Sequence, residues 1–114
     1  MIRATDAGTV VVELAPFRLK PGVDEATLLE RSEQLQDEFL RHQRGFLRRE
    51  LLKGADGEWM DVVHWEDEEA ANAIMSVIAE SPACRAYFEI MIGADMADPA
   101  GGVSHFRRIR TYEQ

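Results

Sequence analysis

The sequence has a single cysteine and no long apolar segment. Because Cys84 is the only cysteine among 114 residues, an internal disulfide is excluded. No apolar run approaches the roughly 20 residues that span a bilayer, so we expect no membrane partner. Residues 1–12 lack the apolar middle region and the small-residue cleavage site of a signal peptide. These absences favour a reducing, cytoplasmic location.

Basic residues and metal-ligand patterns are also scarce. Lys and Arg number 13 against 21 Asp and Glu, which gives a formal net charge of -8 and makes nucleic acid an unfavourable partner. The three histidines and one cysteine show no zinc-ligand spacing, and glycine-rich phosphate loops and nucleophile motifs are absent. We therefore predict neither a metal nor a cofactor.

The apolar residues, by contrast, suffice for one compact core. At 114 residues and 46% apolar content, we expect one domain over residues 1–114. A core of this size is modest, so burying a further apolar face by self-association would add stability.

The first half of the chain predicts a strand, a long helix and a hairpin. Residues 9–18 are mostly apolar and β-branched, and they end at Pro21 and Gly22, which favour a turn. Asp24 is a good N-cap for an amphipathic helix that continues to Gln43. Residues 46–53 and 58–65 then flank "GADG", in which Asp56 and Gly57 suit a hairpin turn with positive φ.

The second half predicts an interrupted helical region and a last strand. Four acidic residues from Glu66 suit a helix N-terminus, and Ser81 and Pro82 break that helix before a second helical piece. Residues 93–102 read as a loop, and residues 103–112 as a strand. The order β, α, β, β, α, β predicts an α+β, ferredoxin-like antiparallel sheet with helices on one face.

Both faces of this sheet are rich in apolar residues, although helices can cover only one. Side chains alternate along a strand, and a sheet that is wet on one side should alternate apolar with polar residues more cleanly. We therefore predict a homodimer in which a second copy covers the other face. The even-numbered face is the more purely apolar, and we place it beneath the helices; its residues are Val10, Val12, Leu14, Met60, Val62 and His64.

Four short patterns occur in an order that resembles a known superfamily. They are "KPG" before the first helix, "GF" after it, a hairpin that ends in "WED", and an "SP…YF" segment after the second helix. With this order the chain resembles the dimeric α/β barrel superfamily, and within it the antibiotic biosynthesis monooxygenase-like domains. The resemblance covers roughly residues 10–110.

The resemblance implies a homodimer with a small cavity between sheet and helices in each subunit. Some similar proteins oxygenate aromatic substrates without a cofactor, and others degrade haem. Trp65 matches the tryptophan that commonly ends the hairpin in these domains. The histidine often found early in their second helix has no counterpart here, because Asn72, Ala73 and Ile74 occupy that region. This departure argues against haem degradation and weakens the case for oxygenase activity.

Two histidines are the candidate catalytic residues. His64 and His105 lie in strands, where a neutral imidazole can accept a proton from a bound substrate. The more common alternative is a histidine that is simply hydrogen-bonded in place. Asp61 is three residues from His64, and this odd spacing puts the two side chains on opposite faces of the sheet.

The candidate ligand-binding residues are aromatic, namely Phe39, Trp65, Tyr87 and Phe88. Core packing or a dimer contact is the alternative for each of them. The carboxylates of Glu13 and Asp61 need donors inside the fold, which Arg48, Arg49, Arg107, Arg108 or Arg110 offer; an anionic-ligand site is the alternative use of these arginines.

These observations predict a homodimeric small-ligand domain and a candidate cofactor-independent monooxygenase that acts on a small aromatic or apolar compound. The alternative is a noncatalytic binding or interaction module of the same fold.

Overall fold

A computed structural model describes residues 9–114 and the backbone of Arg3–Thr5. The strands are β1 (Arg3–Thr5), β2 (Val11–Phe17), β3 (Phe46–Lys53), β4 (Trp59–Trp65), β5 (Ser104–Arg107) and β6 (Thr111–Glu113). The α-helices are α1 (Glu25–Glu38), α2 (Glu68–Ala73) and α3 (Pro82–Glu89), and single 3-10 turns cover Leu40–His42, Ile74–Ser76 and Ile78–Glu80.

Four strands form the main sheet in the order β3-β4-β2-β5, and all neighbours are antiparallel. Helices cover one face of this sheet, so the predicted α+β, ferredoxin-like fold is confirmed. The last part of the chain differs from the prediction of one strand over residues 103–112. It breaks after Arg107, and β6 pairs with β1 in a separate two-stranded sheet.

The predicted cap of α1, the hairpin turn and the helix break at Ser81 and Pro82 are present. Asp24 accepts a hydrogen bond from the Thr27 N–H at the start of α1. Asp56 and Gly57 have φ values of 55° and 80°, as the hairpin prediction requires. Ser81 caps α3 by accepting from the Cys84 N–H, with Pro82 in the first turn.

The second helical region is more broken than predicted. Its α-helix ends after six residues, and two 3-10 turns precede Ser81. Ile74 and Ile78 nevertheless remain buried in the core. Both side chains also line the cavity that is described below.

The prediction of the face beneath the helices is wrong. The buried side chains of the central strands are the odd-numbered ones, namely Val11, Glu13, Trp59, Asp61, Val63 and Trp65. The residues Val12, Leu14, Met60, Val62 and His64 lie on the opposite face and are only partly buried, and Val10 is buried just before β2 begins. The two carboxylates find polar partners inside the fold, and the two indoles need the volume of the core. The choice of the more purely apolar face therefore misidentified the inner face, which is the face that the helices cover.

Candidate functional site

A cavity of about 390 Å³ lies between the inner face of the sheet and the helices. Apolar side chains from β2, β4, α1 and α3 form much of its wall, including Phe17, Val63, Leu35 and Phe88. Residues 92–103, which precede β5, contribute a further part of the wall. Such a cavity is of the size that small organic ligands occupy.

A buried polar network supports one wall of this cavity. The Arg49 Nε donates to Asp61 Oδ1 at 2.9 Å, and the Tyr87 hydroxyl donates to Asp61 Oδ2 at 2.6 Å. Arg49 also donates through Nη2 to the Tyr87 oxygen at 3.1 Å and through Nη1 to the Ser32 carbonyl at 3.0 Å. The ion pair and its hydrogen bonds hold β3, β4, α1 and α3 together at the cavity wall.

A second polar group at the cavity is centred on Glu13. Its Oε1 accepts a hydrogen bond from Trp65 Nε1 at 3.3 Å and lies 3.2 Å from His105 Nε2. The Glu13 side chain is 9% exposed and that of His105 is 28% exposed. Strand pairing creates this contact, because Glu13 of β2 is directly opposite His105 of β5. A carboxylate on the cavity wall thus meets an imidazole of the edge strand, although His105 itself does not line the cavity.

Burial shifts the pKa of several groups around the cavity. Desolvation raises the pKa of Glu13, although the contact with His105 opposes that shift. Desolvation, followed by the Asp61 charge, raises the pKa of Tyr87, so its phenol stays protonated at physiological pH. Burial likewise raises the pKa of the Cys84 thiol. Burial alone would lower the pKa of Arg49, but the charges and hydrogen bonds of Asp61 and Tyr87 together raise it. For Glu13, the raised pKa means that burial increases the basicity of the carboxylate.

The residues chosen from the sequence fall in different places. Phe39, Tyr87 and Phe88 line the cavity. Trp65 is fully buried, packs edge-on against Phe46 and donates to Glu13, so it supports the site from behind. His105 contacts Glu13 from the adjacent strand. The roles of these residues in binding remain predictions.

His64 lies on the opposite side of the sheet from the cavity. It pairs with Val12 on β2 and with Arg48 on β3, both on the face without helices. Partial burial, and then the charge of Arg48, lower the pKa of its imidazole. The prediction that His64 lies beneath the helices is therefore wrong. His64 is separated from the groups that line the cavity.

Sequence reasoning did not select Glu13 and Arg49 as site residues. Glu13 was predicted to need a donor inside the fold, and Arg49 was one of five possible donors, with an anionic-ligand site as the alternative. Side chains alternate along β2 and β4, and Glu13 and Asp61 both have odd numbers in these strands. This alternation was the signal in the sequence that could have placed the two carboxylates on one face. The pairing of Glu13 with His105 needed the strand order, which joins residues 92 positions apart.

Within residues 9–114, no three or more His, Cys, Asp or Glu side chains are grouped as a metal site would require. Within the same range, every helix is too short or too polar to cross a membrane.

This geometry defines a ferredoxin-like domain with an internal ligand-sized cavity. The family model described as antibiotic biosynthesis monooxygenase matches residues 10–89. The chain therefore belongs to the antibiotic biosynthesis monooxygenase family. A comparison with curated protein sequences gives no significant match.

Solved structures of the same fold include proteins with different described activities. The chain is similar to SnoaB, a cofactor-independent oxygenase from Streptomyces nogalater, with 18% identity, a TM-score of 0.63, and coverage of 93% of this chain and 95% of that one. A protein from Shewanella oneidensis is 19% identical, with a TM-score of 0.61 and coverage of 97% and 100%. A heme-degrading protein from Mycobacterium tuberculosis is 22% identical, with a TM-score of 0.52 and coverage of 88% and 91%. At these identities the likeness establishes the fold alone.

Proposed function

We propose that this protein binds a small aromatic or apolar compound in the cavity and oxygenates it without a cofactor, with the Glu13–His105 pair as proton acceptor. The observation that carries the proposal is an ionisable carboxylate with a raised pKa on the wall of an otherwise largely apolar cavity. Membership of the family and the fold shared with a cofactor-independent oxygenase support the same reaction class.

The cavity suits the apolar part of such a substrate. Phe39, Tyr87 and Phe88 offer aromatic surface, and Leu35 and Met91 offer aliphatic surface. Burial of a planar ring against these side chains supplies binding energy that does not depend on charge. The buried Arg49–Asp61–Tyr87 network holds one wall of the cavity rigid, which favours a fixed orientation of the ring.

The chemistry begins with removal of a proton from an activated CH₂ group of the substrate. Glu13 takes this proton, and His105 at 3.2 Å stabilises the carboxylate before transfer. The carbanion reduces O₂, a C–O bond forms, and a hydroperoxide results after proton return. Loss of water breaks the O–O bond and leaves a carbonyl, so that CH₂ and O₂ become C=O and H₂O. The apolar wall excludes bulk water from the reactive carbanion.

The protein functions as a homodimer in this proposal. The sheet face without helices carries partly buried Val12, Leu14, Met60 and Val62, together with Leu52, which is 46% exposed, and Phe106, which is 58% exposed. A contiguous apolar sheet face of this kind is typical of an interface. The equivalent face of a second copy would cover it.

The alternative is a noncatalytic binding module that uses the same cavity. The hydrogen bonds of Glu13 with Trp65 and His105 favour this alternative, because they also explain Glu13 as a buried group that the fold satisfies. Turnover, rather than binding, distinguishes the two functions.

The test measures O₂ consumption and melting temperature with a panel of polycyclic hydroxyaromatic compounds that carry an activated CH₂ group. We expect Glu13→Gln to lower kcat/KM by about 10²- to 10⁴-fold, the usual contribution of a general base. In the wild type, kcat/KM should rise with pH through the raised pKa of Glu13, because only the carboxylate accepts a proton.

His105→Gln tests the partner of Glu13, and His42→Gln is the matched control. His42 is exposed, lies just beyond the end of α1 and contacts the Asp37 carbonyl through Nε2. Its replacement should therefore leave turnover unchanged. Equal turnover in the wild type and Glu13→Gln would exclude the proposed base. Loss of turnover in His64→Gln alone, with an unchanged melting temperature, would move the chemistry to the other sheet face. Ligand binding without O₂ consumption by any compound would support the noncatalytic alternative.

A further inference from the structure

The charged groups around the cavity are unequal in sign. Among the described residues that line it, the carboxylates are Glu13, Asp61, Asp95 and Asp98, and the one cationic side chain is that of Arg49. Asp95 and Asp98 lie in the exposed segment between α3 and β5, at the outer part of the cavity. A ligand that enters therefore meets an excess of negative charge.

Arg49 is poorly placed to offset this excess. Each of its three guanidinium nitrogens already donates a hydrogen bond, to Asp61, to the Ser32 carbonyl and to the Tyr87 hydroxyl. The Asp61 carboxylate neutralises its charge at 2.9 Å, and the Arg49 side chain is only 6% exposed. Recognition of a ligand carboxylate by arginine uses a pair of free, parallel N–H donors. The bonds that Arg49 makes use three of its five N–H groups, and its charge is already compensated, so a ligand carboxylate would have to compete with Asp61 for that charge. Weakening a buried ion pair in this way is unfavourable.

Glu13 provides the complementary feature, which is a hydrogen-bond acceptor. Both of its contacts within the described residues, from Trp65 and His105, involve Oε1. Its Oε2 is left to accept a hydrogen bond from a ligand. A hydroxyl group meets that requirement, whereas a carboxylate at the same position would place two like charges together.

Because of these contacts, we infer that the cavity selects uncharged hydroxyl-bearing aromatic compounds, with the hydroxyl donating to Glu13, and rejects the corresponding carboxylates. The inference rests on the cavity being the ligand site of the proposed function, and it specifies the substrate class of that site. It does not depend on whether the bound compound is then oxygenated.

The test compares three probes that share one ring system. 2-Naphthol carries the hydroxyl donor, 2-methoxynaphthalene lacks it, and 2-naphthoate replaces it with a negative charge. Dissociation constants are measured on the full chain at pH 8 by titration calorimetry or by quenching of tryptophan fluorescence. We expect 2-naphthol to bind at least about tenfold more tightly than 2-naphthoate, because a charge buried without a partner is strongly unfavourable. 2-Methoxynaphthalene should bind with intermediate affinity.

The Glu13→Gln variant shows whether Glu13 causes this selectivity. The amide has nearly the same shape and no charge, so we expect the ratio of the two dissociation constants to fall by about threefold or more. Asp37→Asn, on the exposed surface of α1, is the matched control and should keep the wild-type ratio. A melting-temperature scan of each variant confirms folding before titration.

The outcomes separate this inference from the proposed function. If 2-naphthoate binds as tightly as 2-naphthol, or if Glu13→Gln keeps the full ratio, the inference is wrong while the cavity remains a ligand site. If none of the three probes binds or raises the melting temperature at millimolar concentration, the cavity is not an aromatic ligand site and the proposed function fails with the inference.

Discussion

At the scale of single residues, the ion pair between Arg49 and Asp61 shows how a charged group becomes part of a core. The sequence indicated that Asp61 needed a donor and offered five arginines. Arg49 is the one that pairs, because it lies on β3 opposite Val63 and thus on the same face of the sheet as Asp61. Tyr87 from α3 occupies the second carboxylate oxygen. The sequence restricted the possible partners of Asp61 to five arginines, and the strand register determines that Arg49 is the partner.

Removing one partner of this pair should destabilise the protein strongly. Asp61→Ala leaves Arg49 charged and 6% exposed without its counter-ion, and we expect a loss of about 3–5 kcal/mol in the free energy of unfolding. Urea denaturation measures the loss. Glu69→Ala is the control, since it removes the partner of Arg44 in an exposed pair and should cost no more than about 1 kcal/mol. Similar losses in the two variants would show that burial does not set the strength of the Arg49–Asp61 pair.

At the scale of secondary-structure elements, Gly45 fixes how the first helical segment meets the sheet. Its φ is +82°, and its carbonyl accepts a hydrogen bond from the Glu66 N–H at 2.7 Å, just after β4. A Cβ at this position would lie 2.5 Å from the Cβ of Ala70 in α2. The sequence places Gly45 just after the first helix, where a glycine commonly ends a helix. The close approach of α2 is a second requirement that only the packed structure reveals.

Gly45→Ala tests this second requirement. We expect the variant to lose about 2–5 kcal/mol, from the left-handed backbone and from the clash with Ala70 together. Gly22→Ala is matched in backbone, with a φ of +88°, but a Cβ there meets nothing within 4 Å. It should lose only the backbone part, about 1–2 kcal/mol. Equal losses in thermal or urea unfolding would mean that contact with α2 adds nothing.

At the scale of the whole molecule, the proposed homodimer depends on the apolar sheet face. Val62 lies on β4, a central strand of this face, between β2 and β3. If a second copy covers this face, a charge at Val62 would be buried without a partner. Because Val62 does not line the cavity, a substitution there tests assembly separately from the cavity.

Val62→Glu should convert the proposed dimer into single chains. Light scattering at micromolar concentration is expected to give twice 12.9 kDa for the wild type and 12.9 kDa for the variant. Leu29→Glu adds the same charge on α1, where Leu29 is 46% exposed, and should remain dimeric. A wild-type mass of one chain would overturn the proposed homodimer.

The sequence by itself determined the order of the elements in the main sheet and its helices, the cap of the first helix, the hairpin turn and the family, because these depend on local propensity, periodicity and short patterns along the chain. It also determined that Asp61 and His64 lie on opposite faces, since alternation is a property of any strand. Only the tertiary structure decided which face the helices cover, and hence that Glu13 meets His105 at the cavity while His64 lies outside it. That decision depended on which buried polar groups find partners and on how two indoles fit in the core, and both involve residues that are distant in the chain.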